Sequence, residues 1–281
     1  MRDISKRELK DIRYGKILTS PDKPMKYAVK SPAEPDENCL YFAEKAGDEL
    51  IDKLRACGAW GIVVKAPCKL DVKKWKNAGI GIIETKNPVM LQIELAEIYR
   101  AKFDIPFVQV IGSAGKTTTK DMTGSVLNAA MRTHVGFANY NTAFAAAYNI
   151  LSLRDWHKAV VLETGMKSVG YMRFCSRIVK PNIAVLTSIQ RAHFVIMGSI
   201  GKIIEAKAEI LDYLDKKGVL IINGEDKNCY RFPTERYKGR VIRYGFSEKF
   251  DIWATDISYK DFKSYFTVKS RNPDIKCVIN T

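Results

Sequence analysis

Short, uninterrupted apolar runs separated by segments with helical spacing dominate the second part of the chain. The runs are PFVQVIG (106–112), KAVVLE (158–163), NIAVLTSI (182–189), GVLIIN (218–223) and RVIRYGF (240–246). A strand that is covered on both faces has no polar side, so such runs are typical of a parallel sheet packed between helices. A polar/aromatic alternation from 256 to 268 predicts an antiparallel ribbon. The pattern therefore predicts an α/β fold, a P-loop-type domain with a mostly parallel sheet.

The first part of the chain predicts a smaller α/β domain. Its strand-like runs are CLYFA (39–43), GIVV (61–64) and GIGII (79–83), and a helix is predicted around Asp48–Cys57. The stretch NPVMLQIELAEIYRAKF (87–103) has helical periodicity with Pro88 near its start, which predicts a connecting helix. We therefore predict three segments: an N-terminal domain over 1–86, a connecting helix and linker over 87–105, and a central domain over 106–281.

Composition excludes several classes of protein. With 46% hydrophobic and 27% charged residues, the chain of 281 residues is typical of a soluble globular protein. Its apolar runs are too short to span a membrane, and its charged first ten residues lack the apolar core of a signal peptide. The six cysteines are scattered without a CxxC pair, which favours reduced thiols. We therefore expect a cytoplasmic protein without membrane insertion.

The formal net charge is +15. Nucleic-acid binding is one interpretation of such a charge. A lysine-rich solvated surface is another, and polyanionic small substrates would explain a basic cleft equally well. Because the basic residues are dispersed rather than gathered between exposed aromatic residues, nucleic acid is disfavoured as a partner.

The stretch IGSAGKTTTKDM (111–122) lies between an apolar run and a helical segment. Glycines let backbone N–H groups turn inward around an anion, and the helix N-terminus adds a favourable dipole. Lys116 can reach the β- and γ-phosphates of a nucleotide, and the Thr117 hydroxyl can bind Mg²⁺. The predicted phosphate-binding residues are Gly112, Ser113, Ala114, Gly115, Lys116, Thr117 and Thr118.

Three further residues are candidates because of where they lie. Glu163 ends an apolar run and is either a solvated strand-end residue or a Mg²⁺ ligand. His193 follows the next run by four residues and is either a structural hydrogen-bonding residue or a ligand. Lys207 lies on the apolar stripe of a helix predicted over 198–218, with Ile203, Ile210, Leu211 and Leu214. A buried lysine is costly, so Lys207 either reaches outward to solvent, has an anionic partner, or is chemically altered.

Together these residues resemble the Mur ligase superfamily, whose members are ATP-dependent ligases that add amino acids or dipeptides to a UDP-muramoyl peptide. The other stretches that carry the resemblance are NYNTAFAAAYNIL (139–151), VVLETGMKSVGYM (160–172), PNIAVLTSIQRAHFVIMGS (181–199), EAKAEIL (205–211) and GVLIINGEDK (218–227). Their order and spacing match over about residues 106–250, and AKAEIL favours the dipeptide-adding branch. Residues 1–86 match only in the outline of a UDP-sugar-binding domain.

The resemblance implies a two-step reaction. A substrate carboxylate attacks the γ-phosphate of ATP to give an acyl phosphate, and the amine of D-Ala-D-Ala then displaces phosphate to form an amide. It also implies that Lys116 and the loop amides bind ATP, and that Thr117 and Glu163 hold one Mg²⁺. His193 and a carbamylated Lys207 would hold a second metal. Catalytic roles would thus fall to Lys116, His193 and Lys207.

The resemblance further implies that Asn139 binds the substrate. Compared with the family, the sequence stops at Thr281, before the end of the central domain and before the C-terminal domain. We therefore expect a truncated form that is not competent alone, or a partner that supplies the missing domain. Two alternatives stay open: a ligase of the folylpolyglutamate or cyanophycin type, and a non-catalytic nucleotide- or nucleic-acid-binding descendant. The joint presence of five candidate residues favours the enzyme: Lys116, Thr117, Glu163, His193 and Lys207.

Overall fold

The computed structural model describes residues 3–30, 33–43, 45–191, 197–260, 263–271 and 277–278. In chain order the helices are α1 (Lys6–Lys10), α2 (Leu50–Ala56), α3 (Val72–Asn77), α4 (Pro88–Arg100), α5 (Lys116–Asn128), α6 (Ala143–Leu151), α7 (Tyr171–Val179) and α8 (Ile200–Ala208). The strands are β1 (Lys16–Thr19), β2 (Tyr27–Lys30), β3 (Cys39–Phe42), β4 (Gly61–Lys65), β5 (Gly81–Thr85), β6 (Phe107–Ile111), β7 (Thr133–Val135), β8 (Ala159–Glu163), β9 (Ile183–Leu186), β10 (Val219–Asn223), β11 (Arg240–Gly245), β12 (Ile252–Lys260), β13 (Lys263–Ser270) and β14 (Cys277–Val278).

The chain divides into two compact units. The first contains the residues up to Ile105 together with Thr142–Lys158, and the second contains Pro106–Asn141 and the residues from Ala159 on. The sequence predicts that 142–158 belongs to the central domain. The structure groups this segment with the first unit because α6 packs against α4.

The first unit contains a five-stranded sheet in the order β1-β5-β4-β3-β2. All neighbours in it are parallel except β1, which runs antiparallel to β5. Trp60 and Trp75 are fully buried in this unit. The helix predicted over 87–103 is α4, which Asn87 caps by accepting a hydrogen bond from Met90 N at 3.1 Å.

The second unit contains a nine-stranded sheet in the order β14-β13-β12-β11-β10-β9-β6-β8-β7. The strands from β7 to β12 are parallel, and β12 to β14 form antiparallel pairs. The α/β fold with a mostly parallel sheet is therefore confirmed, and so is the antiparallel ribbon, in which Thr255 pairs with Thr267.

The apolar runs are continuous because both faces of the sheet are covered. One core cluster takes Leu186 and Ile222 from the sheet together with residues of α7 and α8. Another cluster contains Val110 and Val185, with Leu127 of α5 packed against it. Successive residues of one strand thus enter different cores, so each strand needs apolar residues at nearly every position.

The helix predicted over 198–218 is shorter than expected. The α-helix ends at Ala208 and continues as a 3₁₀ turn over Glu209–Asp212. The turn keeps Ile210 and Leu214 in the core, so the apolar stripe that suggested a long helix is accounted for by two shorter elements. In the described part of the chain, no helix combines the length and the apolar character needed to cross a bilayer.

Candidate functional site

The predicted phosphate loop joins β6 to α5 at the carboxyl edge of the sheet of the second unit. β6 lies between β8 and β9, where the chain changes its direction across the sheet, and ligands of open α/β sheets bind at such a position. Gly115 takes a left-handed conformation, with φ 78°, and is the N-cap residue of α5. A Cβ atom on Gly112 would lie 2.0 Å from Thr187 Oγ1, so this position of the loop has no room for a side chain.

The beginning of α5 offers backbone N–H donors that are unpaired within the described residues. Among the described residues, none accepts a hydrogen bond from the backbone N–H groups of Gly115, Lys116, Thr117 or Thr118. The first N–H groups of a helix have no partner within the helix, and such a set binds anions. The Lys116 amine lies beside them and donates to Ser113 O at 3.3 Å. The loop therefore has the donors and the positive charge that a phosphate group requires.

The segment after β9 holds the loop in place. Ser188 accepts from Ser113 N through its carbonyl and from Ala114 N through Oγ, each at 2.9 Å. Thr187 Oγ1 donates to Ala114 O at 2.6 Å. Asn223, at the end of β10, in turn donates to Thr187 O at 2.9 Å. The sequence interpretation missed Thr187 and Ser188 as site residues, although two hydroxyl residues directly after a buried strand are a usable signal.

Glu163 is buried at the end of β8, with 3% of its surface exposed. It is in register with Val110 on the neighbouring β6. Its Oε1 accepts a hydrogen bond from Asn141 Nδ2 at 3.2 Å, whereas its Oε2 is buried without a hydrogen-bond partner among the described residues. An unpaired buried carboxylate oxygen is costly and is a ligand that Mg²⁺ prefers. Glu163 therefore fits the metal, and the alternative of a solvated strand-end residue is wrong.

Lys207 is 2% exposed on α8, so the alternative that it reaches outward to solvent is wrong. Within the described ranges, no acidic side chain forms an ion pair with it. Burial lowers the pKa of the Lys207 amine to about 8, and the nearby Lys116 ammonium acts in the same direction. Two lysines thus lie close enough to repel each other beside the phosphate loop. This arrangement suits a negatively charged group between or beside them.

Three candidate residues remain: His193, Asn139 and Thr117. His193 lies outside the described residues. Asn139 is exposed in the connection between β7 and α6, and its neighbour Asn141 is the residue that contacts Glu163. In the described part of the chain, no three His, Cys, Asp or Glu residues form a ready metal-binding group. The full ligand sets, with Thr117 among them, stay predictions.

Lys120 is a second buried lysine, which the sequence interpretation missed. It is 1% exposed on α5. Its Nζ donates to Gly136 O at 2.7 Å and to Ala138 O at 2.6 Å, and it lies 3.0 Å from Asp121 Oδ1. Unlike Lys207, it is fully paired, so it has a structural role: it holds the segment that leads to Asn141 against α5. Lys120 stands in the polar run TTTKD, where no apolar stripe predicts that its side chain is buried.

The chain is similar to known proteins in sequence and in fold. Over 179 residues the chain is 34% identical to the Bacillus subtilis protein named UDP-N-acetylmuramoyl-tripeptide–D-alanyl-D-alanine ligase, a match covering 63% of the chain and 38% of that protein. Crystal structures of MurF from Acinetobacter baumannii and of MurF ligase from Thermotoga maritima in complex with ADP have similar folds, both at 22% identity. The TM-scores are 0.76 and 0.69, and the matches cover 99% and 92% of the chain and 60% and 58% of those chains.

The chain thus spans less than two thirds of the length of each of these proteins. Its residues 110–281 match the Mur ligase middle domain. That match includes the whole phosphate loop (112–118), Glu163 and Lys207, and it extends over more than half of the chain. The chain therefore belongs to the Mur ligase family.

Proposed function

We propose that this chain is an ATP-dependent ligase that joins the carboxylate of a UDP-muramoyl tripeptide to the amine of D-Ala-D-Ala. The proposal rests on a loop beside Lys116 with four backbone N–H groups that have no acceptor among the described residues. The neighbouring strand ends at Glu163, a buried carboxylate with one oxygen that is unpaired within the same described residues. The choice of substrates rests on the name of the Bacillus subtilis relative. A non-catalytic descendant would have no need of an unpaired buried carboxylate oxygen and a buried lysine without an acidic partner in the described ranges.

In the first step, a carboxylate oxygen of the tripeptide attacks the γ-phosphorus of ATP, and the bond to the β,γ-bridging oxygen breaks to release ADP. In the second, the amine attacks the acyl phosphate, loses a proton and displaces inorganic phosphate. The residues of this chain act mainly by neutralising and orienting phosphate oxygens. The Lys116 ammonium and the N–H groups of Gly115–Thr118 would do this from one side.

Mg²⁺ would be held by Glu163 and Thr117, and it would neutralise negative charge that builds up on the phosphate oxygens. Lys207 would contribute a negative oxygen after carbamylation. Its lowered pKa supports this assignment, because carbon dioxide reacts with the neutral amine and the amine is partly neutral near pH 8. A carbamate would also replace the repulsion between Lys207 and Lys116 by attraction.

The UDP part of the substrate would bind in the first unit. A cavity of about 420 Å³ there is lined by residues from the carboxyl ends of β3 and β4, by the segments that follow these two strands, and by Pro88 at the start of α4. Phe42 and Pro88 supply apolar walls, and Lys65 and Lys69 supply positive charge. An apolar wall beside two ammonium groups suits a pyrimidine base joined to a diphosphate.

Calorimetry with the 281-residue chain tests the nucleotide part of the proposal. Lys116→Ala is expected to weaken binding of Mg-ATP by roughly ten- to hundred-fold, because it removes a charged hydrogen-bond donor from the phosphates. Lys216→Ala is the matched control, since Lys216 is exposed at the opposite end of β10 and its removal changes the net charge equally. Binding of UDP should be unchanged in both variants.

Equal affinity of the parent chain and Lys116→Ala for Mg-ATP would refute the assignment of the loop. Unchanged UDP affinity in a variant that replaces both Lys65 and Lys69 by alanine would refute the proposed UDP cavity and leave the nucleotide site standing.

A further inference from the structure

Glu209 is a buried carboxylate two residues after Lys207. It begins the 3₁₀ turn that follows α8, and 5% of its surface is exposed. Its Oε1 accepts a hydrogen bond from Gly170 N at 2.6 Å, and its Oε2 accepts one from Arg173 N at 3.1 Å. Both oxygens are therefore used by one short segment at the beginning of α7.

The beginning of α7 has no cap of its own. Its N-cap residue is Gly170, which has no side chain, and its first turn contains no acidic residue. A carboxylate near a helix N-terminus satisfies free N–H groups and interacts favourably with the helix dipole. Glu209 supplies this cap from a different element, so its two hydrogen bonds tie the end of α8 to the beginning of α7.

On its other side, α7 is tied to the strand that leads into the phosphate loop. Gln109 is fully buried in β6. Its Nε2 donates to Ser176 Oγ of α7 at 3.1 Å and to Thr164 Oγ1 at 2.7 Å. Thr164 directly follows Glu163. The same glutamine thus holds α7 and the residue beside the candidate metal ligand. Because α7 is fixed to β6 in this way, an element bound to α7 is held in place relative to the phosphate loop.

We propose that Glu209 is a positioning residue for Lys207: its carboxylate, bound to the N-terminus of α7, sets where α8 ends and so where the Lys207 amine lies relative to Lys116 and Glu163. This inference rests on the proposed function, since it gives Lys207 a role at the nucleotide site. Asp212 on the same turn also reaches α7, through an ion pair of 2.6 Å with Arg173. That pair is largely exposed and contributes little.

A double-mutant cycle on the 281-residue chain tests the proposal. Affinity for Mg-ATP is measured by calorimetry in bicarbonate buffer for the parent chain, Glu209→Gln, Lys207→Ala and the double variant. Glu209→Gln keeps the size of the side chain, but its amide can accept only one of the two bonds. It is expected to weaken binding about tenfold. In the Lys207→Ala background the same change should alter affinity by less than about twofold, because its effect passes through Lys207.

A second readout follows the amine directly. Acylation of Lys207 by an amine reagent, quantified by mass spectrometry, should be faster in Glu209→Gln than in the parent chain, because the amine is no longer held in its buried position. Asp212→Asn is the matched control on the same turn and should leave affinity and acylation unchanged. If Glu209→Gln does not fold, as judged by circular dichroism, Glu209→Asp takes its place, with the charge retained and the reach shortened.

The outcomes distinguish a failure of this inference from a failure of the proposed function. Loss of affinity in Lys207→Ala with parent-like Glu209→Gln would overturn the inference and leave the proposed function intact. Equal losses from Glu209→Gln with and without Lys207 would also overturn it, because they would show a merely structural residue. Parent-like affinity in Lys207→Ala would refute the role proposed for Lys207, and the inference would fall with it.

Discussion

Replacing Lys207 by methionine measures what it costs this protein to bury an amine. Methionine is unbranched and nearly as long, so it can occupy the apolar stripe beside Ile203 and Ile210 without leaving a cavity. The change removes the charge and keeps the packing. Because Lys207 is 2% exposed and no described acidic residue pairs with it, the main effect is electrostatic.

The size and sign of the effect follow from the pKa of the Lys207 amine, which burial lowers from 10.5 to about 8. Between these pH values the unfolded chain holds a proton that the folded chain has released. The contribution of Lys207 to stability is therefore least favourable below pH 8 and improves as the pH rises toward 10.5. The difference between the two pKa values corresponds to about 3 kcal/mol of stability, at about 1.4 kcal/mol for each unit of pKa. Lys207→Met should thus be more stable than the parent chain by about this amount at pH 7.

Urea unfolding followed by circular dichroism gives the free energy of unfolding at about pH 7, 8.5 and 9.5, in buffers free of carbon dioxide. The difference in the free energy of unfolding between Lys207→Met and the parent chain (the gap) should narrow steadily over this range. The dependence of the free energy of unfolding on urea concentration should stay constant. Lys202→Met is the matched control, since Lys202 is exposed on the same helix, and its gap should be small at every pH. Added bicarbonate should narrow the gap at pH 7, because a carbamate removes the buried positive charge.

A Lys207→Met variant that is less stable than the parent chain at pH 7 would refute the electrostatic cost assigned to Lys207. A stability difference that is independent of pH would refute it too, because the amine would then have the same pKa in the folded and unfolded chain.

Two further predictions concern the surroundings of the phosphate loop. Gly112→Ala should lower the free energy of unfolding by about 1–3 kcal/mol and weaken Mg-ATP binding, because the new Cβ would lie 2.0 Å from Thr187 Oγ1. Urea unfolding and calorimetry check this. A urea midpoint equal to that of the parent chain would contradict the close approach of Gly112 and Thr187. Lys120→Met should cost about 1–3 kcal/mol, because it leaves the carbonyl oxygens of Gly136 and Ala138 without their donor. Hydrogen exchange should then quicken around residues 136–141, and unchanged exchange there would show that Lys120 does not hold this segment.

The sequence by itself determined the features that depend on neighbouring residues. The phosphate loop could be predicted because its strand, its turn and its helix are contiguous, so Gly115, Lys116 and Thr117 carry their chemistry within one short stretch. The burial of Lys207 could be predicted because helical periodicity places it beside Ile203. The apolar runs likewise predicted the strands, since a strand between two helical layers must be apolar at nearly every position.

Only the tertiary structure decided which distant segments meet. Ser188 holds the loop from a position 74 residues along the chain, and Glu209 reaches Gly170 across 39 residues. Neither contact is indicated by a pattern of neighbouring residues in the sequence. The first depends on the order of the strands in the sheet, and the second depends on where α8 ends. The burial of Lys120 was equally invisible, since its partners are backbone carbonyl oxygens, which every residue type carries. Hydrogen bonds of this kind arise only after the sheet has assembled, when the packing of its helices brings the donors and acceptors together.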